Sequence, residues 1–165
     1  MATAIFYTTS TGNSSEIANK ISEALDGVEV FELSGAGVEK INDFDKVIIG
    51  GSTWGDGELN DDLDEIWDDF CAVDFSGKTV ALFSLGDQDG YGDTFCDALG
   101  IVYEQVTSAG ATVVGSTSTD GYEYDESKAE VDGQFVGLAI DEDNQDDLTD
   151  DRISVWAEAI RGDIL

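Results

Sequence analysis

Short apolar segments alternate along the chain with segments in which apolar residues recur every three or four positions. The short segments are rich in β-branched residues and are closely followed by glycine, serine or aspartate, which is typical of strands. They are Ala2–Thr8, Val28–Leu33, Lys46–Gly51, Lys78–Leu85 and Thr112–Gly115. Because apolar residues occupy successive positions in them, we expect these strands to be buried on both faces.

The segments with helical periodicity lie between these strands and after the last one. Their apolar positions are Ile17, Ile21, Ala24 and Leu25, then Leu63, Ile66, Trp67 and Phe70, then Phe95, Ala98, Leu99, Val102 and Val106, and finally Ile153, Trp156 and Ile160. Strands that alternate with helices through short connections predict parallel strands and right-handed crossovers. The fold class is therefore α/β, a doubly wound sheet with helices on both faces.

One stretch interrupts this alternation. Ser116–Ala129 follows the fifth predicted strand, and a further apolar run, Gln134–Ile140, comes about twenty residues later. The simplest interpretation is a fifth strand that is split by an inserted loop or small hairpin. Two separate strands are the alternative.

Length and composition indicate one domain, residues 1–165, because 165 residues with 41% apolar residues suffice for one substantial core. No run approaches the roughly 18 apolar residues of a membrane span, and the amino terminus lacks the features of a secretory signal, so we expect a cytoplasmic protein. Cys71 and Cys96 do not form a CxxC pair, and histidine is absent. We therefore expect no metal site, and we expect both cysteines to be buried apolar residues.

The charge is strongly unbalanced, with 37 acidic and 7 basic residues and a formal net charge of -30. Nucleic acid and anionic membrane surfaces are poor partners, since contacts to phosphate need lysine or arginine and this acidic surface would repel phosphate. A basic protein partner fits this charge, because the field would steer it towards the acidic surface. Solubility, or adaptation to a salty cytoplasm, would account for the charge equally well.

The turn after the first strand, Thr9–Ser14, has the composition of an anion site. Asn13 and Glu16 have the spacing of a helix N-cap and its partner, so a helix should start close to Asn13. Its free N–H groups and the neighbouring hydroxyls could bind a phosphate. The nearest cation in sequence is Lys20, and the turn lacks the lysine of a P-loop. A single phosphate monoester is favoured, and a helix-capping turn without a ligand is the alternative.

Two later loops should lie at the same edge of the sheet. The loop Gly50–Asn60 follows the third strand and places Trp54 on a flexible segment among glycines 51, 55 and 57; Ser84–Asp93 follows the fourth strand and carries Tyr91 among glycines 86, 90 and 92. An aromatic residue surrounded by glycines can stack on a planar ring, although Trp54 could instead pack on the core. Together with the phosphate turn, these loops predict a slot for a flat ring joined to a phosphate.

These residues resemble the flavodoxins along essentially the whole chain. The matching segments are Thr9–Ser14, the run STWGDGEL, the run LGDQDGYGD and the late run VDGQFVGLAIDEDNQDDLTDDRISVW. The interrupted fifth strand resembles the long-chain subgroup. The resemblance implies sheet order 2-1-3-4-5 with flavin mononucleotide (FMN) bound non-covalently at the switch point, a rule for which flavodoxin is itself the standard example.

The resemblance also implies which residues bind the cofactor. The phosphate turn would hold the phosphate, Trp54 and Tyr91 would sandwich the ring, and backbone groups would reach the ribityl chain and the ring edge. The predicted cofactor-binding residues are Thr9, Ser10, Thr11, Gly12, Asn13, Ser14, Thr53, Trp54, Gly55, Asp56, Leu85, Gly86, Asp87, Tyr91 and Asp93. Gly55 departs from the asparagine common in long-chain members, and Ser52 replaces the usual proline, so the loop could be looser.

A flavodoxin-like chain would act as a low-potential, one-electron carrier that shuttles between semiquinone and hydroquinone and replaces ferredoxin. A rotated Gly55–Asp56 peptide could offer its carbonyl to the protonated ring nitrogen, and glycine makes that rotation cheap. Between Asp56 and Asp74 there are nine acidic residues and no basic one. That field disfavours the anionic, fully reduced flavin and lowers the second potential.

We expect an electron-transfer protein without catalytic residues, and we expect it to be a monomer. The predicted helix after Glu58 is acidic and would dock basic partners such as ferredoxin–NADP reductase or photosystem I. Its acidic residues are Asp61, Asp62, Asp64, Glu65, Asp68 and Asp69. The alternative is that this helix face is an ordinary solvated surface. The main alternative is an FMN-dependent NAD(P)H:quinone reductase, which would need basic residues beyond Arg152 and Arg161. A receiver-type signalling domain and a cysteine phosphatase are not favoured, because this chain lacks the residues that those two classes of protein require.

Overall fold

The computed structural model describes residues 3–8, 13–33, 38–54, 58–59, 66–86, 95–119, 121–141 and 144–164. The described strands are β1 (Thr3–Tyr7), β2 (Glu29–Glu32), β3 (Lys46–Trp54), β4 (Glu58–Leu59), β5 (Thr79–Leu85), β6 (Thr112–Val114), β7 (Thr117–Ser118), β8 (Glu130–Val131), β9 (Gln134–Phe135) and β10 (Leu138–Ile140). The described α-helices are α1 (Asn13–Ala24), α2 (Trp67–Cys71), α3 (Asp97–Ser108) and α4 (Thr149–Ile164). Two 3₁₀ helices span Val38–Asp43 and Asp146–Leu148.

The main sheet is parallel apart from β4, which pairs antiparallel with β3. Its order is β2-β1-β3-β5, and both β6 and β10 pair with β5. When β6 and β10 are counted as one interrupted strand, the order is 2-1-3-4-5. The predicted doubly wound sheet and its order are therefore confirmed.

The fifth strand is split, as the sequence predicted. β6 pairs with Thr79–Ala81 and β10 pairs with Phe83–Leu85, so the two halves lie one after the other along the same neighbour. A Cβ atom at Gly137 would lie 2.2 Å from the Leu82 carbonyl oxygen, so glycine lets the returning chain lie against β5. The residues in between form a second, antiparallel sheet of order β7-β9-β8.

Two hydrophobic layers cover the two faces of the main sheet. α1 and α4 pack on one face through stripes such as Ile17 and Ile21 on α1 and Trp156 and Ile160 on α4. α2 and α3 pack on the other face. The apolar spacing of three and four residues produces these stripes, because such residues share one side of a helix. Among the described helices, none is long and apolar enough to cross a membrane.

Four details of the sequence prediction are wrong. Strands β2 and β6 are only partly buried, since they lie towards the edges of the sheet; Glu29 and Glu32 of β2 are exposed. Phe95 precedes its helix, because Cys96 takes a left-handed conformation (φ 52°) and α3 begins at Asp97. Cys71 is exposed, whereas Cys96 is buried as expected. The main chain of Trp54 belongs to β3 instead of to a flexible loop. Leu63, predicted on the second helix, lies outside the described residues.

Candidate functional site

The carboxyl ends of three central strands meet at one edge of the sheet. In the register of the sheet, Gly50 of β3 lies between Tyr7 of β1 and Phe83 of β5. The Thr8 N–H donates a hydrogen bond of 3.0 Å to the Gly50 carbonyl, and Thr8 is buried. From β1 the chain continues to β2 at one side of the sheet, and from β3 it continues to β5 at the other side. The strand order reverses here, and such a switch point forms a crevice in which open α/β sheets bind ligands.

The first helix starts at this crevice. α1 begins at Asn13, which confirms the predicted start. Because the first N–H groups of a helix lack partners within the helix, a helix start at the edge of a sheet commonly binds an anion. Lys20 forms an ion pair of 2.9 Å with Asp150 and is thus directed towards α4. The predicted phosphate ligands Thr9, Ser10, Thr11 and Gly12 lie outside the described residues, as do the side chains of Asn13 and Ser14.

The end of β3 forms a short hairpin. Thr53 pairs with Leu59 and Trp54 pairs with Glu58 in antiparallel register. Strand pairing therefore fixes the backbone on both sides of residues 55–57. Gly55 and Asp56 lie outside the described residues, and so do the side chains of Thr53 and Trp54. The strand pairing therefore defines the backbone positions of the residues immediately before and after the turn.

The residues at the two ends of the loop after β5, Gly86 and Cys96, are in close contact. The Gly86 N–H donates a hydrogen bond of 2.9 Å to the Ile140 carbonyl. A Cβ atom at Gly86 would lie 2.8 Å from Cys96 Sγ and 2.9 Å from the Cys96 nitrogen, so no side chain fits at this position. Leu85 thus ends β5, and Gly86 begins the loop that follows at the carboxyl edge of the sheet. Asp87, Tyr91 and Asp93 lie outside the described residues.

Sequence reasoning missed the part that Cys96 plays beside this loop. Its thiol is a weak donor to the Ser84 carbonyl, with a sulfur–oxygen distance of 3.7 Å, and it fills the space beside Gly86. Burial, followed by the nearby Asp141, raises the pKa of this thiol, so it is a poor nucleophile. The only sequence signal was an isolated cysteine close to a predicted helix, which does not distinguish this position from that of Cys71.

The surroundings of the crevice carry little positive charge in the described part of the chain. Burial, followed by the neighbouring Glu32, raises the pKa of the Tyr7 phenol at the end of β1. Asp68 and Asp69 of α2 are exposed. Among the described residues, no three histidine, cysteine or carboxylate side chains are grouped so that they could hold a metal ion.

The described geometry fits an anion at the start of α1, beside two loops that leave the same edge of the sheet. Three features meet at the carboxyl ends of β1, β3 and β5. They are the start of α1, the hairpin whose turn is residues 55–57, and the loop that begins at Gly86. The helix start offers neutral N–H donors, which suits one phosphate group, and the glycine at the base of the second loop allows a close backbone approach.

Comparisons with known proteins agree with this geometry. The sequence profile of the family described as Flavodoxin matches residues 5–156. A flavodoxin from Picosynechococcus is 49% identical over 160 residues, covering 95% of this chain and 94% of that protein. A flavodoxin from Helicobacter pylori is 48% identical, covering 96% and 95%. The crystal structure of Fusobacterium nucleatum flavodoxin bound to flavin mononucleotide is 36% identical with a TM-score of 0.93, and the match covers 99% of each chain. The chain belongs to the flavodoxin family.

Proposed function

We propose that this chain carries single electrons at low potential between redox proteins and that it uses non-covalently bound FMN to do so. The observation that carries the proposal is the junction of β1, β3 and β5 with the start of α1 in a chain of this family. Bound FMN supplies a ring that accepts and donates one electron at a time. The proposed unit is one domain, residues 1–165.

The proposed binding residues surround this junction. The start of α1 and the preceding turn hold the phosphate through neutral donors. The β3–β4 hairpin and the loop after β5 hold the ring on its two sides, with Trp54 and Tyr91 stacked on it. The full set is Thr9, Ser10, Thr11, Gly12, Asn13, Ser14, Thr53, Trp54, Gly55, Asp56, Leu85, Gly86, Asp87, Tyr91 and Asp93.

Two features of this chain set the potential. The Gly55–Asp56 peptide would offer its carbonyl to the ring nitrogen of bound FMN, because glycine permits the peptide to rotate. The carboxylates between Asp56 and Asp74 oppose any further negative charge in the site through Coulomb repulsion.

A redox titration followed by visible absorbance tests the proposal. The purified holoprotein is reduced stepwise without oxygen, and two separate one-electron steps are expected. A single two-electron step would contradict the carrier and favour a hydride-accepting quinone reductase. That alternative is not favoured, because the two arginines available to a nicotinamide nucleotide are already engaged: Arg152 stacks on Tyr122 at 4.0 Å and Arg161 pairs with Asp26 at 2.6 Å.

The proposed partners are basic redox proteins, such as ferredoxin–NADP reductase or photosystem I, to which this chain docks from the cytoplasm as a monomer in place of ferredoxin. The docking residues are Asp61, Asp62, Asp64, Glu65, Asp68 and Asp69. Support comes from the exposure of Asp68 and Asp69 and from the net charge of -30, which steers a basic partner at rates that salt reduces.

A matched pair of variants tests the docking face. The double variant D68N/D69N removes two charges from α2, and the control E158Q/D163N removes two exposed charges from the carboxyl-terminal half of α4, which packs on the other face of the sheet. The α2 variant should slow electron transfer to the reductase at low salt, whereas the control should have a smaller effect. Equal slowing by both variants would indicate general attraction without a docking face.

A further inference from the structure

A cavity of about 390 Å³ opens between α4 and the small antiparallel sheet, and we refer to it as the α4 cavity. Residues of α4 form one side of it, and β7, Tyr122 and Leu138 form the other. Its volume lies in the range of roughly 300–1,000 Å³ that is typical of small-molecule sites. The residues around it are all different from the proposed FMN-binding residues, so FMN does not account for this cavity.

The α4 side of the cavity is a regular helix face. Four of its residues are spaced by three and four positions, so they share one side of the helix. They are Arg152, Val155, Trp156 and Ala159. Trp156 is buried, whereas Val155 is 72% exposed, the largest exposed fraction of any large apolar side chain in the described part of the chain. Apolar surface therefore continues from the floor of the cavity to its mouth, which is typical of a binding site.

Hydrogen bonds hold the two aromatic walls of the cavity in place. The Trp156 Nε1–H donates to the Gly115 carbonyl at 2.8 Å, and the Tyr122 hydroxyl donates to the Ala139 carbonyl. Because these polar atoms already have partners, the two side chains offer a ligand mainly the apolar surface of their rings. Walls that are fixed before binding lower the entropy cost of binding.

Arg152 is the one basic residue among those that the structure places around the α4 cavity. One face of its guanidinium stacks on the Tyr122 ring at 4.0 Å, and Nη2 donates a long hydrogen bond of 3.5 Å to the Gly121 carbonyl. Nη1 is buried and has no hydrogen-bond partner among the described residues. A buried donor without a partner is costly, so turning Nη1 towards an acceptor in the cavity gains a hydrogen bond and gives up at most a weak one.

Charge restricts what this acceptor can be. The planar guanidinium of arginine matches a carboxylate, which accepts two parallel hydrogen bonds from it. Asp151 also borders the cavity, and the chain carries a net charge of -30, so a second negative charge on the ligand would be repelled. A phosphate dianion or a dicarboxylate is therefore disfavoured, and the apolar walls require a ligand with an apolar body.

We propose that the α4 cavity is a binding site for a small monocarboxylate with a flat, apolar body. The carboxylate accepts hydrogen bonds from Arg152, and the apolar body packs against Trp156, Leu138 and Val155. The inference goes beyond the proposed function and does not depend on it, because it concerns a different site and holds whether or not the chain binds FMN.

Nuclear magnetic resonance of the isotope-labelled protein, used as purified, tests this site with 2-naphthoate as the probe. The chain has three tryptophans, so three indole N–H signals are expected, and W156F identifies the signal of Trp156. Titration with 2-naphthoate should shift this signal until it saturates, with a Kd of about 1 mM or less. An unchanged Trp156 signal at about 10 mM probe would overturn the inference.

Two arginine variants form a matched pair. R152Q removes the arginine of the cavity, whereas R161Q removes an arginine of the same helix that pairs with Asp26. Each variant removes one positive charge, so the overall field of the protein changes equally. R152Q should raise the Kd for 2-naphthoate at least about tenfold, as expected for loss of a hydrogen bond to a charged group. R161Q should leave the Kd within about twofold of the parent value, because salt screens distant charges. If both variants raise the Kd equally, Arg152 is not the carboxylate ligand and the inference is wrong.

V155A tests the apolar part of the site with little risk to the fold, because Val155 is exposed. The Kd for 2-naphthoate should rise about fourfold, the equivalent of one buried methylene group, while the urea midpoint stays close to that of the parent. An unchanged Kd would show that the probe binds elsewhere, and the assignment of the α4 cavity would fail.

Two analogues of the probe test the assigned charge of the ligand. 2-Naphthamide has the same ring system without the charge, and it should bind at least about tenfold more weakly than 2-naphthoate. 2-Naphthylmethylamine carries a positive charge and should also bind more weakly, in spite of the negative charge of the chain. If the amide binds as tightly as the carboxylate, the cavity is an apolar groove without a preference for an anion. If the amine binds more tightly, Asp151 and the net charge decide the preference. Either result would contradict the proposal.

Discussion

Replacing Gly50 by alanine should disturb both the core and the site. The Phe83 ring lies across this glycine, and a Cβ atom there would be 2.2 Å from Cε1 of the ring. Carbon atoms pack best at about 3.5–4.0 Å, so the ring or the strand must move by about 1.3–1.8 Å. Phe83 is 1% exposed and packs beneath α1 and α4, so the ring has no free space to enter. Overpacking of this kind costs about 1–3 kcal/mol of unfolding free energy.

The same shift should weaken FMN binding. The Gly50 carbonyl accepts the hydrogen bond of the Thr8 N–H at 3.0 Å, and Thr8 leads directly into the predicted phosphate turn. Movement of β3 away from Phe83 therefore displaces the start of that turn. The apparent Kd for FMN should rise together with the loss of stability.

Urea unfolding of the apoprotein, followed by far-ultraviolet circular dichroism, measures the effect. G50A should lower the midpoint at an unchanged m-value. G162A is the matched control: Gly162 lies in α4 with nothing within 4 Å of a Cβ atom, and alanine there should be neutral or stabilising by up to about 1 kcal/mol.

A double-mutant cycle tests the assigned cause. F83A alone should cost about 3–5 kcal/mol, since it empties a buried site. In G50A/F83A the added methyl group enters that space, so the combined loss should fall short of the sum by about 1–3 kcal/mol. Strict additivity, or equal midpoints for G50A and the parent, would refute the steric argument.

Three further outcomes follow from the described structure. Raising KCl from 0.1 to 2 M should raise the urea midpoint of the apoprotein. The acidic side chains of this chain, with a net charge of -30, repel one another, and the added salt shortens the screening length from about 10 Å to 3 Å or less. A midpoint that falls would contradict this. Burial raises the pKa of Asp97 above its unfolded value of about 3.9, so its contribution to stability is complete below that value and is lost as pH rises through the folded pKa. The stability of the parent relative to D97N should therefore fall as pH rises above about 4 in urea unfolding. W156F removes the donor of a 2.8 Å hydrogen bond to the Gly115 carbonyl, where the chain leaves β6, and should cost about 1–3 kcal/mol in the same assay; no change would show that the bond is dispensable.

The regular elements were predictable because their patterns are local. The stripe Ile17, Ile21 and Leu25 defines the buried side of α1, and continuous apolar runs define β1, β3 and β5. The split fifth strand was also predictable, since two apolar runs separated by a polar segment can each complete the same edge. For the site, the predicted start of α1 agrees with the structure, whereas the roles of Leu85 and Gly86 in cofactor binding stay predictions.

Features that depend on distant contacts were not predictable. Glu58–Leu59 is too short and too close to glycines to indicate a strand, so the sequence pattern predicts a loop at Trp54. Cys71 ends a five-residue helix whose inward position is taken by Phe70, and residue type alone does not reveal that orientation. Asp97 resembles an ordinary acidic residue in a first helical turn, and its burial results from a segment that follows about thirty residues later.

The position of the break in the fifth strand decides what the insertion can reach. β6 pairs with the first half of β5 and β10 with the second half, so the chain leaves the sheet midway and rejoins it at the carboxyl edge. A segment inserted before β6 would project from the opposite edge, far from Phe95. The break therefore delivers the insertion to the return of the loop 87–94, and it places Ile140 beside Gly86 at the start of that loop. A single topological change thus accounts for two backbone hydrogen bonds, from Phe95 to Glu126 and from Gly86 to Ile140.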